Sequence, residues 1–370
     1  MTCKILSTLS FALFVALAPA FAATDTTTTT TTEENDTSEK TTTPNLSDGK
    51  WLIAPKISNS PKLGFSGGIS ANYIKKYDEL SPVSIAGASA TYSDTDSSVG
   101  LLYNRAYWDN NTKRALMVGM LSETNNDYDD YLGQGPASLT TTFELYYGRY
   151  QQRIGDSLWF IGGSYVYTNL DPQAADAPTE IIMSEFDIGE VYSGGLGLNI
   201  TYDSRDLVMN PSSGSYLEFS ATKFDEAFAS DFDYWSYNTQ YSYFQTITDD
   251  FVLAYNTSLL STVDAPKTSQ ATLRRLRGYT PGENSAENAF VMQIEGRYRL
   301  NPKWGVVAFT GVASLFDDFD DVSNEDNLFP MAGVGARYTL DQKSQTLLRL
   351  DFAVGESGNN GLYLQLGQAF

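Results

Sequence analysis

From about residue 51 onward the chain alternates apolar and polar side chains with a period of two, and this narrows its fold more than any other feature. In "LGFSGGISANY", Leu63, Phe65, Ile69, Ala71 and Tyr73 share one face, while Gly64, Ser66, Gly68, Ser70 and Asn72 share the other. "GLGLNITYD" sets Leu196, Leu198, Ile200 and Tyr202 against Gly197, Asn199, Thr201 and Asp203. "SYLEFSAT" and "WSYNTQYSY" repeat the pattern. Such alternation builds strands with one apolar and one polar face. A soluble sandwich has the same period, so three further features decide. The runs reach ten or more residues, beyond the usual soluble strand and long enough to cross a bilayer at a tilt. Their polar face is small and hydrophilic, suited to a wet lumen. Aromatic residues recur near the run ends, as in an interfacial girdle. Sixteen such runs lie between 51–58 and 361–370, an even number as a bacterial barrel requires. The expected fold is all-β: a single closed transmembrane antiparallel β-barrel of 16 strands. Connections alternate between short turns, such as "NPK" before Trp304, and long acidic loops, such as "DDFDDVSNEDNLF". Short turns belong on the periplasmic side and long loops outside.

The N-terminus fits export. Residues 1–22 have one Lys4, a short apolar core, and small residues at Ala20 and Ala22, the plan of a cleaved signal peptide. Cys3 lies inside it, so the mature chain carries no cysteine. Residues 23–50 form a Thr-rich acidic linker with too few apolar side chains to order itself, read as a solvated spacer, with a plug or partner-binding tail as the alternative. The barrel domain then runs over 51–370. Removal of Lys4 takes the basic residues from 24 to 23 against 45 acidic ones, a net charge of −22, which makes nucleic acid a poor partner. Histidine is absent, which excludes Ser-His-Asp and Cys-His catalysis and His-ligated zinc. No enzymatic role and no cofactor are expected. The acidic stretch Asp317 to Asn327 lacks the spacing of an EF-hand loop and reads as a solvated loop that cations bridge to lipopolysaccharide.

The connection from about Val263 to Asn288 is far longer than an ordinary loop. It contains "LRRLRGYTPGENSAEN", in which Arg274, Arg275 and Arg277 crowd together before Gly278 and Tyr279. The next strand places Gln293, Glu295, Arg297 and Arg299 on its inner face. Upstream stands "YDSRDLVMNPSSGSYLEF", and the sequence closes on "GLYLQLGQAF", where Leu362, Leu364, Leu366 and Phe370 share a face. Together with the "SNSPKLGFSGG" entry, these stretches resemble the BamA/TamA family of bacterial surface antigen barrels, most clearly from Gly195 to Phe370. The resemblance implies a sixteen-stranded outer-membrane barrel with its sixth extracellular loop folded into the lumen. Arg277, Gly278 and Tyr279 would form the loop tip, with Arg277 held by a bidentate contact to Glu295. Asp203, Arg205, Asp206, Pro211 and Gly214 would shape a periplasmic turn, and Leu366 and Phe370 would carry the terminal-strand signal. The stretch between cleavage and Trp51 is too short for the family's periplasmic POTRA modules. Many relatives carry an Asp in a Phe-x-Asp-x-Gly context on the strand that reads "VVAFTGVASLF" here, with Thr310 near that place. Whether Arg277 has a second acidic partner is therefore open. The implied role is to insert or move protein or lipid at the seam between first and last strands. The partners would be outer-membrane lipid, lipopolysaccharide and an unknown client protein. The alternatives are a passive or gated pore and a non-catalytic structural or surface-antigen barrel.

Overall fold

The structure, a computed structural model, describes residues 49–60, 64–128, 136–185, 188–279, 285–341, 346–356, 359–366 and 368–370. The expected signal, nearly all of the Thr-rich linker, Pro281, Gly282 and the turn after Asp341 lie outside the described residues.

Sixteen long strands form one antiparallel sheet. They are β1 (Lys50–Ser60), β2 (Gly64–Lys75), β3 (Ser84–Ser93), β4 (Ser98–Trp108), β5 (Lys113–Tyr128), β6 (Ala137–Arg153), β7 (Trp159–Ala174), β8 (Val191–Asp203), β9 (Gly214–Phe224), β10 (Tyr234–Thr248), β11 (Phe251–Val263), β14 (Asn288–Arg299), β15 (Trp304–Phe316), β16 (Leu328–Asp341), β17 (Thr346–Gly355) and β18 (Asn360–Leu366). Two two-residue strands, β12 (Ala271–Thr272) and β13 (Ser285–Ala286), pair with each other inside the long connection between β11 and β14. An α-helix, α1 (Ala177–Glu185), sits in the connection between β7 and β8. Each long strand pairs with its predecessor, and the sheet curls until β1 reaches β18. There the described contact is the single pair Asn59 and Leu362, whereas β17 and β18 align from Leu348–Leu366 to Val354–Asn360.

The two faces of this sheet are inverted relative to a soluble protein. Large apolar side chains point outward: Leu102 is 65% exposed and Met117 is 63% exposed. Ser70, Asn72, Asn199, Thr201, Asn256 and Gln293 face inward and are buried. Water would penalise that outer surface, whereas hydrocarbon accepts it. The aromatic residues show where the hydrocarbon ends. Trp51, Trp108, Trp159 and Trp304 lie where β1 begins, β4 ends and β7 and β15 begin, all at one mouth. Each packs against a tyrosine: Tyr73, Tyr202 and Tyr338 on the adjacent strand at 5.3, 5.1 and 4.8 Å from Trp51, Trp159 and Trp304, and Tyr150, across β5 on β6, at 6.2 Å from Trp108 between ring centroids. Amphipathic rings collected at one level form an interfacial girdle. This mouth, where β1 starts, is the proximal one. The connections holding α1, β12 with β13, and the acidic stretch 317–327 lie at the distal mouth.

The main apolar cluster lies inside the curl, where the β11–β14 connection packs against the inner wall. Leu273, Leu276 and Tyr279 are buried with Val291 of β14, Val307, Phe309, Ala313 and Leu315 of β15, Met331 of β16 and Ala353 of β17. The connection therefore leaves at the distal mouth and returns down one side of the lumen.

Candidate functional site

Arg277 stands at the turn of this inward connection. Its Nη1 donates to Glu295 Oε2 on β14 at 2.8 Å and to Asp351 Oδ2 on β17 at 2.9 Å. Its guanidinium carbon lies 3.4 Å from the centre of the Phe309 ring. Arg277 is 8% exposed, and both carboxylates are fully buried. Burial of such charges is tolerable only when they are paired. The carboxylates meet this condition several times over. Arg297 Nε donates to Glu295 Oε1 at 2.8 Å, and Arg337 Nη2 lies 3.6 Å from the same carboxylate. Arg337 Nη1 also donates to Asp351 Oδ1, and Arg349 Nε lies 3.8 Å from its Oδ2. Two carboxylates thus sit among four guanidiniums.

The contact of Arg277 differs from the expected fork. One nitrogen bridges two carboxylates, because Glu295 and Asp351 approach from strands on either side of β15 and β16. The second acid lies on β17, not on the strand of Thr310. Thr310 faces outward, with its Oγ1 donating to Met331 O at 2.9 Å, while neighbouring Phe309 takes the inward position. Strand parity thus rules out a carboxylate contact from position 310. Sequence reasoning missed Asp351, Arg337, Arg349 and the role of Arg297. The available signal was "LLRLDFAVG", where Arg349 and Asp351 share one face of an otherwise apolar strand.

Gly278 and Tyr279 complete the tip. Gly278 has φ of +93°, where a side chain would be strained, and its N–H donates to the Tyr363 hydroxyl at 2.8 Å. The Tyr279 hydroxyl donates to Pro330 O at 2.7 Å and accepts from Glu356 N at 2.9 Å. Its ring meets Phe329 edge-on at 5.7 Å. Gln293 Nε2 donates to Arg275 O at 2.8 Å.

The residues from Asp203 to Gly214 close the proximal ends of β8 and β9. Here the fork geometry does occur: Arg205 donates through Nε and Nη2 to the two oxygens of Asp203, at 2.9 and 3.0 Å. Arg114 of β5 adds a third bond to Asp203 at 2.9 Å and stacks 3.6 Å from the Phe160 ring centre. Asp206 accepts from Ser212 N at 3.0 Å and Ser213 N at 3.3 Å, which fixes the turn. A Cβ at Gly214 would lie 2.2 Å from Ser204 O, and its φ is +95°.

The C-terminal residues depart from the expected strand. β18 ends at Leu366, so Phe370 lies beyond it and does not continue its outward face. Arg337 Nε donates to Gln368 Oε1 at 2.8 Å, and Gln368 Nε2 donates to Asn210 Oδ1 at 2.9 Å. Arg297 donates to Phe370 O and to Pro211 O, both at 3.1 Å. These guanidiniums supply donors that draw 368–370 across the proximal mouth toward the 204–213 turn. The same Arg297 and Arg337 hold the carboxylates that bind Arg277.

A search of curated proteins found no match. Among solved structures, the fold is similar to BamA from Haemophilus ducreyi lacking POTRA domains 1-3, with a TM-score of 0.53 and 12% identity over 86% of this chain and 69% of that one. It is also similar to CdiB from Acinetobacter baumannii, with a TM-score of 0.56 and 10% identity over 86% of this chain; the chain spans only 60% of that protein. CdiB from Escherichia coli gives a TM-score of 0.54 and 11% identity over 85% of this chain and 67% of that one. Residues 84–370 match the Omp85 superfamily domain, so the chain belongs to the Omp85 superfamily as a BamA/TamA-like outer-membrane barrel.

Proposed function

We propose that this protein is a closed sixteen-stranded barrel that inserts or moves protein or lipid at the outer membrane, acting at the seam between β1 and β18. The observation that carries the reading is the imbalance in pairing: one described pair joins β1 to β18, whereas β1 and β2 align along their whole length. A seam held by few main-chain bonds opens at lower cost than any other boundary in the sheet. The connection carrying Arg277 acts as a latch, fixing the inner wall of β14–β17 beside that seam. In the same reading the proximal mouth faces the periplasm, and residues 1–22 direct export and are removed. The acidic distal loops meet lipopolysaccharide through bridging cations, an unknown client protein engages the seam, and no catalytic chemistry is involved.

Cysteines at Asn59→Cys and Leu362→Cys test this directly, because the mature sequence has no other cysteine. Joining them should abolish client crosslinking in native envelopes and slow assisted folding of a second barrel in reconstituted vesicles, with recovery on reduction. Equal activity of the oxidised and reduced forms would refute a working seam.

A further inference from the structure

The protein is strongly acidic, with a net charge of −21, yet its interior is basic. Four inward acids stand out among the described residues, Asp203, Glu218, Glu295 and Asp351, and each is held by at least one arginine. Basic groups exceed them. Lys56 of β1 points inward and donates to Ser89 Oγ at 3.2 Å, with no carboxylate among its described partners. Arg153 of β6 lies 5.3 Å from the Phe160 ring centre. Arg275 is bound through the neutral side chain of Gln240.

A second observation concerns donors rather than charge. Arg277 is more than nine-tenths buried, and its Nε and Nη2 have no hydrogen-bond partner in the protein. Arg153 Nε is buried without a partner as well. Buried guanidinium N–H groups call for acceptors, and a positive lumen favours anionic ones. Acids meanwhile collect outside the lumen, as in Asp317, Asp318, Asp320, Asp321, Glu325 and Asp326 at the distal mouth. Acid and base are thus sorted by position, and the inner wall carries the positive sign. Low-dielectric walls lined by one sign of charge concentrate the opposite ion.

We propose that the lumen is an anion-accepting compartment and that ions passing through it are selected for negative charge. This holds whether the seam moves protein or not, since it rests on side chains of the inner wall.

Planar bilayers containing the full-length protein test it under a potassium chloride gradient, using the wild type and Arg277→Ala, which removes the ionic anchor of the inward connection. The reversal potential should lie on the chloride side in both, with several-fold preference for chloride over potassium. Lys56→Glu combined with Arg275→Glu should shift it toward potassium; both positions lie outside the buried carboxylate cluster. Heat-dependent gel migration confirms that each variant folds. A potassium preference, no preference, no response to the double substitution, or absence of current in both wild type and Arg277→Ala would overturn the proposal.

Discussion

Replacing Glu295 should harm the protein more than replacing Arg277, although the two are partners. Arg277→Ala removes one of four guanidiniums. Glu295 keeps Arg297 at 2.8 Å and Arg337 at 3.6 Å, and Asp351 keeps Arg337 and Arg349. No carboxylate is orphaned. The loss is one bridging nitrogen, the stacking on Phe309, and the anchor of the connection. Glu295→Gln instead leaves four guanidiniums around one carboxylate, in a site where Glu295 is fully buried. Breaking a dry ion pair costs about 3–5 kcal/mol because a charge is left uncompensated. Water in the lumen lowers this, so about 2–4 kcal/mol is expected for Glu295→Gln and about 1–2 kcal/mol for Arg277→Ala. Urea unfolding in lipid vesicles, followed by heat-dependent gel migration, measures both. The double variant should lose less than the sum of the singles, because removing Arg277 relieves part of the excess positive charge. Arg277→Lys should retain much of the stability, since one nitrogen makes both contacts and an ammonium can bridge two carboxylates. It gives up the flat stacking on Phe309, about 1 kcal/mol. If Arg277→Ala costs as much as Glu295→Gln, or if the effects add, the carboxylates are not shared as the geometry indicates.

Gly278→Ala should destabilise the tip by about 1–2 kcal/mol through its left-handed backbone, since a Cβ there meets nothing closer than 3.4 Å; enhanced protease cleavage near Tyr279 with a normal barrel is the expected readout, and unchanged cleavage counts against it. Asn210→Cys with Gln368→Cys should be joined efficiently by a short bis-maleimide, because the native side chains touch at 2.9 Å; failure to join would place 368–370 elsewhere. The purified protein in detergent should migrate differently before and after boiling, and identical migration with a helical circular dichroism spectrum would contradict a barrel. Asp203→Asn should cost about 1–3 kcal/mol by leaving Arg114 and Arg205 facing a neutral amide, and a neutral result would show that Arg205 does not hold the turn.

Most of the sheet was legible because one physical rule governs every strand. Where lipid lies on one side and water on the other, each side chain must alternate, and the period can be read locally. The sixteen sequence runs fall on the sixteen long strands, with ends differing by a few residues. β5 extends to Tyr128 and β7 to Ala174, beyond the apolar outer band, because main-chain pairing to β6 continues where membrane patterning has stopped. The end of β18 was misjudged for a related reason. "GLYLQLGQAF" keeps its alternation to the last residue, so periodicity alone extends the strand. Two guanidinium donors, one from Arg297 and one from Arg337, hold 368–370 across the mouth, and a second Arg297 bond fixes Pro211 beside them.

The charged cluster was only half legible, and the missing half has a common cause. Glu295 could be paired with Arg277 because its inner-face position follows from β14 parity, and the connection leads directly into that strand. Asp351 is 74 residues from Arg277. Its inward direction follows from parity, but parity does not say which side chains meet across a lumen. That depends on how far the inward connection descends, and the depth is set by Leu273, Leu276 and Tyr279 finding Ala353, Met331 and Phe309. These apolar contacts place Arg277 at the height where β14 and β17 both present a carboxylate. The ion pairs therefore follow from apolar packing of the connection, and variants that shorten Leu276 or Tyr279 should displace Arg277 even with every charge intact. Leu276→Ala is the cleanest case: it should cost about 2–4 kcal/mol as a buried large-to-small change and open the chain near Tyr279 to protease while Arg277 keeps its charge. Unchanged protection in that background would mean that charge, not packing, sets the depth.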